Sequence, residues 1–152
     1  AKEKGPMYIR IPHEDDRLVF DENYKFEKGK VEVLKDGIDI GIIATGRVVH
    51  NVLDAKLNCR IINIPTIKPI DRNSLLSAIS GLKTIITVED HNIIGGLGSL
   101  VSEILIENGW SGRFKRLGIQ DRFSSIYGNI SYLDEQNGIS AKKIVETIKC
   151  LI

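Results

Sequence analysis

The sequence predicts a three-layer α/β domain built on a mainly parallel sheet with an antiparallel entry hairpin, and three observations carry that reading. Strand-like runs alternate with helix-like runs along most of the chain. Residues 38–44, 59–64 and 84–88 are near-continuously apolar, as strands covered on both faces are. Leu97, Leu100, Val101, Ile104 and Leu105 follow the i, i+3, i+4, i+7, i+8 stripe of a helix lying on a sheet.

Taken in order, the chain opens with Met7-Tyr8-Ile9-Arg10-Ile11, whose β-branched and aromatic side chains suit a strand. Residues 13–30 are polar and charge-dense, with Phe20, Tyr24 and Phe26 spaced too irregularly for a helix, so they read as an extended linker. Residues 31–34 and 38–44 flank Lys35-Asp36-Gly37, and an Asp-Gly pair between apolar runs predicts a hairpin, because Gly tolerates positive φ. Thr45-Gly46 ends the second strand and a short helix over 47–55 leads to the strand 59–64. Pro65 and Pro69 exclude helix from the next loop. Asp71 can cap a helix that places Leu75, Leu76 and Ile79 on one face, with Gly81 as its terminator. After the strand 84–88 comes a polar loop, then the helix opened by Gly95-Gly96-Leu97-Gly98, then a fourth strand over 114–119. Ser140 can cap a last helix with Ile144, Val145 and Ile148 facing inward.

Composition excludes several classes. The 152 residues are 42% apolar, enough for one compact domain, and 21 Lys plus Arg against 20 Asp plus Glu leave a net charge of +1. No electrostatic case for nucleic acid or an acidic membrane arises from that balance. No apolar run approaches the ~18 residues of a membrane span, and the first residues, Ala1-Lys2-Glu3-Lys4, do not resemble a signal peptide. Cys59 and Cys150 lie far apart in apolar stretches, which reads as two buried thiols in a reducing, cytoplasmic compartment.

The most distinctive motif is Thr87-Val88-Glu89-Asp90-His91-Asn92-Ile93-Ile94-Gly95-Gly96-Leu97-Gly98-Ser99. Free N–H groups at Gly96 to Ser99 could hold a phosphate or carboxylate, but neither the dinucleotide spacing nor the Gly-Lys-Ser/Thr of a phosphate loop is present, which favours glycines that let the helix start lie close against the strands. Glu89, Asp90 and His91 are residue types of an acid/base or metal cluster, yet neighbours at a strand end point in alternate directions, which favours a solvated or interface loop. Ser99 lacks the surroundings of a hydrolase nucleophile, and the chain contains no complete catalytic constellation.

Thr66-Ile67-Lys68-Pro69-Ile70-Asp71, followed by Thr87-Val88-Glu89-Asp90-His91 and Gly95-Gly96-Leu97-Gly98, resembles the C-terminal domain of transketolase in order and spacing. Gly5-Pro6-Met7-Tyr8-Ile9-Arg10-Ile11 is similar to the last strand of that family's pyrimidine-binding domain, so residues 1–29 would be the end of that domain and a linker, and 30–152 the C-terminal domain. The likeness weakens over 124–138, and the helix after Gly46 is about two turns shorter than is usual in the family. The resemblance implies a thiamine diphosphate and Mg2+ enzyme that moves a two-carbon ketol unit between sugar phosphates, with this part in a structural, dimer-supporting role. It implies that the cofactor ligands lie on domains preceding Ala1, so that this chain alone is inactive, binds no cofactor and pairs with missing domains or a partner subunit in a homodimer. By position, His13 falls where such enzymes carry an Arg that binds substrate phosphate, with Arg10 nearby; alternatively His13 starts a solvated linker beside Glu14, Asp15 and Asp16. Rival expectations are the same domain from deoxyxylulose phosphate synthase or a 2-oxo acid dehydrogenase β subunit, or a free-standing binding or regulatory module.

Overall fold

The computed structural model describes residues 4–9 and 17–151. Its strands are β1 (Glu32–Lys35), β2 (Asp39–Ala44), β3 (Arg60–Asn63), β4 (Leu82–Asn92) and β5 (Arg113–Ile119). The helices are α1 (Val48–Asp54), α2 (Arg72–Ala78), α3 (Leu97–Glu107), α4 (Ile130–Gln136) and α5 (Ala141–Leu151). The sheet order is β1-β3-β2-β4-β5, parallel throughout except that β1 runs antiparallel to β3. Among the described residues no helix is long and apolar enough to cross a membrane.

Alternation along the central strands builds two cores. Ile43 and Ile85 join Leu75 of α2 and Leu97, Val101, Ile104 and Leu105 of α3 on one face. Their neighbours Ile42 and Ile86 join Val48, Val49 and Val52 of α1 and Ile144 and Ile148 of α5 on the other. The three-layer α/β expectation therefore holds. The helix starts come where the capping residues place them: Asp71 accepts from Ser74 N at 3.1 Å, and Ser140 Oγ accepts from Lys143 N at 3.3 Å.

The entry hairpin requires correction. β1 does not pair with β2, because β3, delivered by the α1 crossover, takes the edge of β2 that a hairpin partner would occupy. Gly37 serves a close approach instead of a positive φ: a Cβ there would overlap the backbone of Cys59 and Arg60. The left-handed residue is Asp39, at φ 63. Asp36 ties the crossing together, accepting from Gly37 N at 2.8 Å and from Arg60 Nε at 3.0 Å. These two bonds and the Arg60 charge hold the Asp36 carboxyl below its ordinary pKa.

Four smaller differences follow. Met7 to Ile9 belong to no strand and expose their side chains, and the remainder of that expected strand lies outside the described residues. The irregular linker nonetheless docks locally, with Phe20 stacked on Tyr24 and Asp71 N donating to Gly29 O at 2.9 Å. Residues 130–136 form α4, capped by Asn129, where the sequence reading places no helix. Cys59 is buried, which pushes its thiol pKa up, but Cys150 is exposed because it falls on the outer side of α5.

Candidate functional site

From β2 the chain crosses to β3 on one side, whereas from β4 it crosses to β5 on the other. The carboxyl ends of β2 and β4 therefore flank a switch in connection direction, the place where open α/β sheets leave a crevice. Four of the residues singled out from sequence, Glu89, His91, Gly96 and Gly98, gather at this edge. Arg10 and His13 lie outside the described residues.

β4 runs on to Asn92, so Glu89, Asp90 and His91 are strand residues and not a loop, and strand alternation sends the first two to opposite faces. Glu89, 1% exposed, turns towards α3 and accepts from Leu97 N at 2.7 Å and from Gly98 N at 2.8 Å. The helix start thus holds an anion, and the anion is the chain's own carboxylate. Of the two readings of Gly96 to Ser99, the close approach of helix start to strands is the one the contacts support. The glycines explain themselves in the same contact. A Cβ on Gly96 would overlap the Glu89 carboxylate, one on Gly118 would stand 3.1 Å from Glu89 Cγ, and one on Gly98 would stand 2.7 Å from Thr87 Oγ1. Thr87 Oγ1 is buried there without a hydrogen-bond partner among the described residues. Arg116 closes the turn by donating to Ile93 O at 2.8 Å and to Ser99 Oγ at 3.2 Å.

Asp90 takes the other face. Its Oδ2 lies 3.1 Å from Nε of Arg47, the residue that begins α1, and the same guanidinium grips Asp134 of α4 through Nη1 at 2.7 Å and Nη2 at 2.5 Å. Asn51 adds bonds from Nδ2 to Asp134 Oδ2 at 2.8 Å and to Ile139 O at 3.0 Å. Asp134 is buried, and a bidentate Arg fork with a third donor is the arrangement that makes such burial tolerable. Beside this network lies a cavity of about 420 Å³ whose lining includes Arg47, Asp90, Arg122, Ser124, Ser125 and Asn137. Sequence reasoning singled out neither Arg47, Asp134 nor Arg122; the available signal was Gly46-Arg47 at the end of a central strand.

The acid/base types of the motif do not converge. Glu89 serves α3, Asp90 serves Arg47, and exposed His91 has its Nδ1 3.0 Å from Asn92 O. Among the described residues no group of three His, Cys, Asp or Glu is placed to hold a metal ion. The glycine-rich helix start that could meet a diphosphate is closed by Glu89.

The family model for the C-terminal domain of transketolase matches residues 29–144. One of the subunits of an apulose-4-phosphate transketolase from Actinobacillus succinogenes is 35% identical, the match covering 93% of this chain and 48% of that protein. A 1-deoxy-D-xylulose-5-phosphate synthase from Clostridium tetani is 33% identical across 99% of this chain and 25% of its own length. Among solved structures, a split gene transketolase described as an inactive beta4 tetramer superposes with a TM-score of 0.78 at 31% identity, covering 88% of this chain and 45% of that one. The chain thus spans about half the length of the transketolase relatives it matches.

Proposed function

The chain belongs to the transketolase family as its C-terminal domain, and from that premise we propose that it is the C-terminal portion of a transketolase that moves a two-carbon ketol unit between sugar phosphates. The observation that carries this reading is the match to a transketolase subunit along 93% of the chain. Within that enzyme its work is structural. The Glu89 clasp fixes α3 to the end of β4, and the Arg47 fork fixes α4 to α1, so the sheet edge is a rigid face against which the rest of the enzyme and a second copy can pack. Thiamine diphosphate with Mg2+, held by the preceding domains, supplies the carbanion chemistry. The complete enzyme in this reading is a cytoplasmic homodimer.

Arg10 and His13 are proposed to meet the substrate phosphate. Arg presents a permanently charged fork, whereas His near its ordinary pKa of about 6.5 loses its charge as pH rises. In the complete enzyme, His13→Arg should lower KM for a phosphorylated acceptor and flatten its rise between about pH 6 and 8; an unchanged KM returns His13 to the linker.

The deciding experiment is an assay of the complete enzyme with thiamine diphosphate. Ketol transfer from a ketose phosphate to an aldose phosphate is the expected result. Formation of 1-deoxy-D-xylulose 5-phosphate in its place would move the chain to the synthase branch and overturn the proposal.

A further inference from the structure

The cavity beside Arg47 is lined by charged residues of both signs and by apolar ones. Among the described residues one guanidinium, Arg47, faces two carboxylates, Asp90 and Asp134. Asp134 takes two of its nitrogens, so among these described groups the carboxylates outnumber the guanidinium, and the Asp90 side chain is 33% accessible. Asp90 Oδ1 carries no hydrogen bond among the described residues. The same lining includes Arg122, an exposed residue of the segment after β5. Arg17, Arg47, Arg60, Arg72, Arg113 and Arg116 each direct a guanidinium N–H to a carboxylate or a carbonyl. Among the described arginines, Arg122 is the one whose guanidinium has no such partner. Ile119, Ile126, Ile130 and Leu133 supply its apolar lining.

We propose that this cavity binds a small zwitterion with an apolar side chain, a free amino acid or a dipeptide, with its carboxylate on Arg122 and its ammonium on Asp90. A plain anion would satisfy Arg122 but bring like charge towards Asp90. A plain amine would leave Arg122 unpaired. An inorganic ion would leave the isoleucine and leucine lining wet, and an all-hydroxyl sugar phosphate would gain nothing from it. A zwitterion meets both charged groups with charge-assisted hydrogen bonds while its side chain covers the apolar lining. The volume of about 420 Å³ falls within the range of small-molecule sites, and the location is the crevice that the strand order creates.

The test is calorimetric titration of the 152-residue chain with L-leucine and with L-leucyl-L-leucine, the two arms separating amino acid from dipeptide. The half-ligands 4-methylpentanoate and 3-methylbutylamine, and inorganic phosphate, are titrated in parallel. The expected result is saturable binding of at least one zwitterion, at least about tenfold weaker for every control compound. Arg122→Gln should abolish that binding without lowering the melting temperature, because its guanidinium holds no other part of the fold. Asp90→Asn should weaken it, its melting temperature being read separately because Asp90 also pairs with Arg47. The absence of saturable heat for both zwitterions up to about 10 mM, or equally tight binding of phosphate or 4-methylpentanoate, would overturn the proposal.

Discussion

Glu89 satisfies two backbone N–H groups that α3 cannot satisfy itself, since its cap residue Gly96 has no side chain to offer. Each buried donor left without an acceptor costs about 1–3 kcal/mol, so Glu89→Ala should lower stability by about 2–5 kcal/mol in urea unfolding. A loss under about 1 kcal/mol would mean that water replaces the carboxylate at little cost. Gly96→Ala should cost about 1–3 kcal/mol through overlap with the same carboxylate. The double variant should then lose less than the sum, because removing Glu89 removes what the new methyl strikes. The sequence located Gly96 and Gly98 correctly as positions where a helix start approaches strands closely. It could not locate their partner, because a side chain bonding eight and nine residues onward follows no strand or helix period. Asp90 was similarly legible as a strand-end acid, but its partner Arg47 lies on another element and leaves no local trace.

At the scale of elements, the apolar runs that became β2, β3 and β4 and the striped helix α3 were legible because burial on both faces and burial on one stripe each leave a periodic signature. Pairing was not. Asp36-Gly37 between two apolar runs has the local chemistry of a hairpin, yet β3 lies between them, and the glycine is there to clear the Cys59 and Arg60 backbone. Gly37→Ala should accordingly cost about 1–3 kcal/mol and speed amide exchange in Glu32–Lys35 while leaving the centre of β4 protected. Uniform loss of protection would place Gly37 in the global core instead of at an edge. The helix α4 was illegible for a related reason: its buried residue is Asp134, an acid, and it is held by Arg47 and Asn51 from α1. Removing one partner of a buried ion pair costs about 3–5 kcal/mol. Asp134→Asn should approach the lower end of that range, because its amide oxygen still accepts one bond, and exchange should rise first in Ile130–Gln136. Unchanged protection there would show that Asn129 capping and apolar packing hold α4 without the fork.

At the scale of the molecule, two cores share one sheet, and each helix named in them closes onto strands of this chain. The chain therefore has the means to fold by itself, and what it would bring to the enzyme proposed above is a finished face and not a half-built one. Its relation to the cofactor follows from the same geometry. A diphosphate needs a cluster of free N–H donors or a metal held by carboxylates. At α3 the two leading donors are already bonded to Glu89, and the three acid/base residues of the motif diverge to three different partners. Titrating the 152-residue chain with thiamine diphosphate and Mg2+ should therefore give no saturable heat and no rise in melting temperature, whereas the complete enzyme should give both. A ligand present at 100 times its Kd stabilises a fold by about 2.7 kcal/mol, so a thermal shift is a sensitive second readout. Micromolar binding by this chain alone would mean either that the Glu89 carboxylate leaves its helix to admit the diphosphate or that the diphosphate has a site elsewhere on the domain. In the first case alone the Glu89→Ala variant would bind more tightly than the wild type, which separates displacement of the carboxylate from a site elsewhere on the domain.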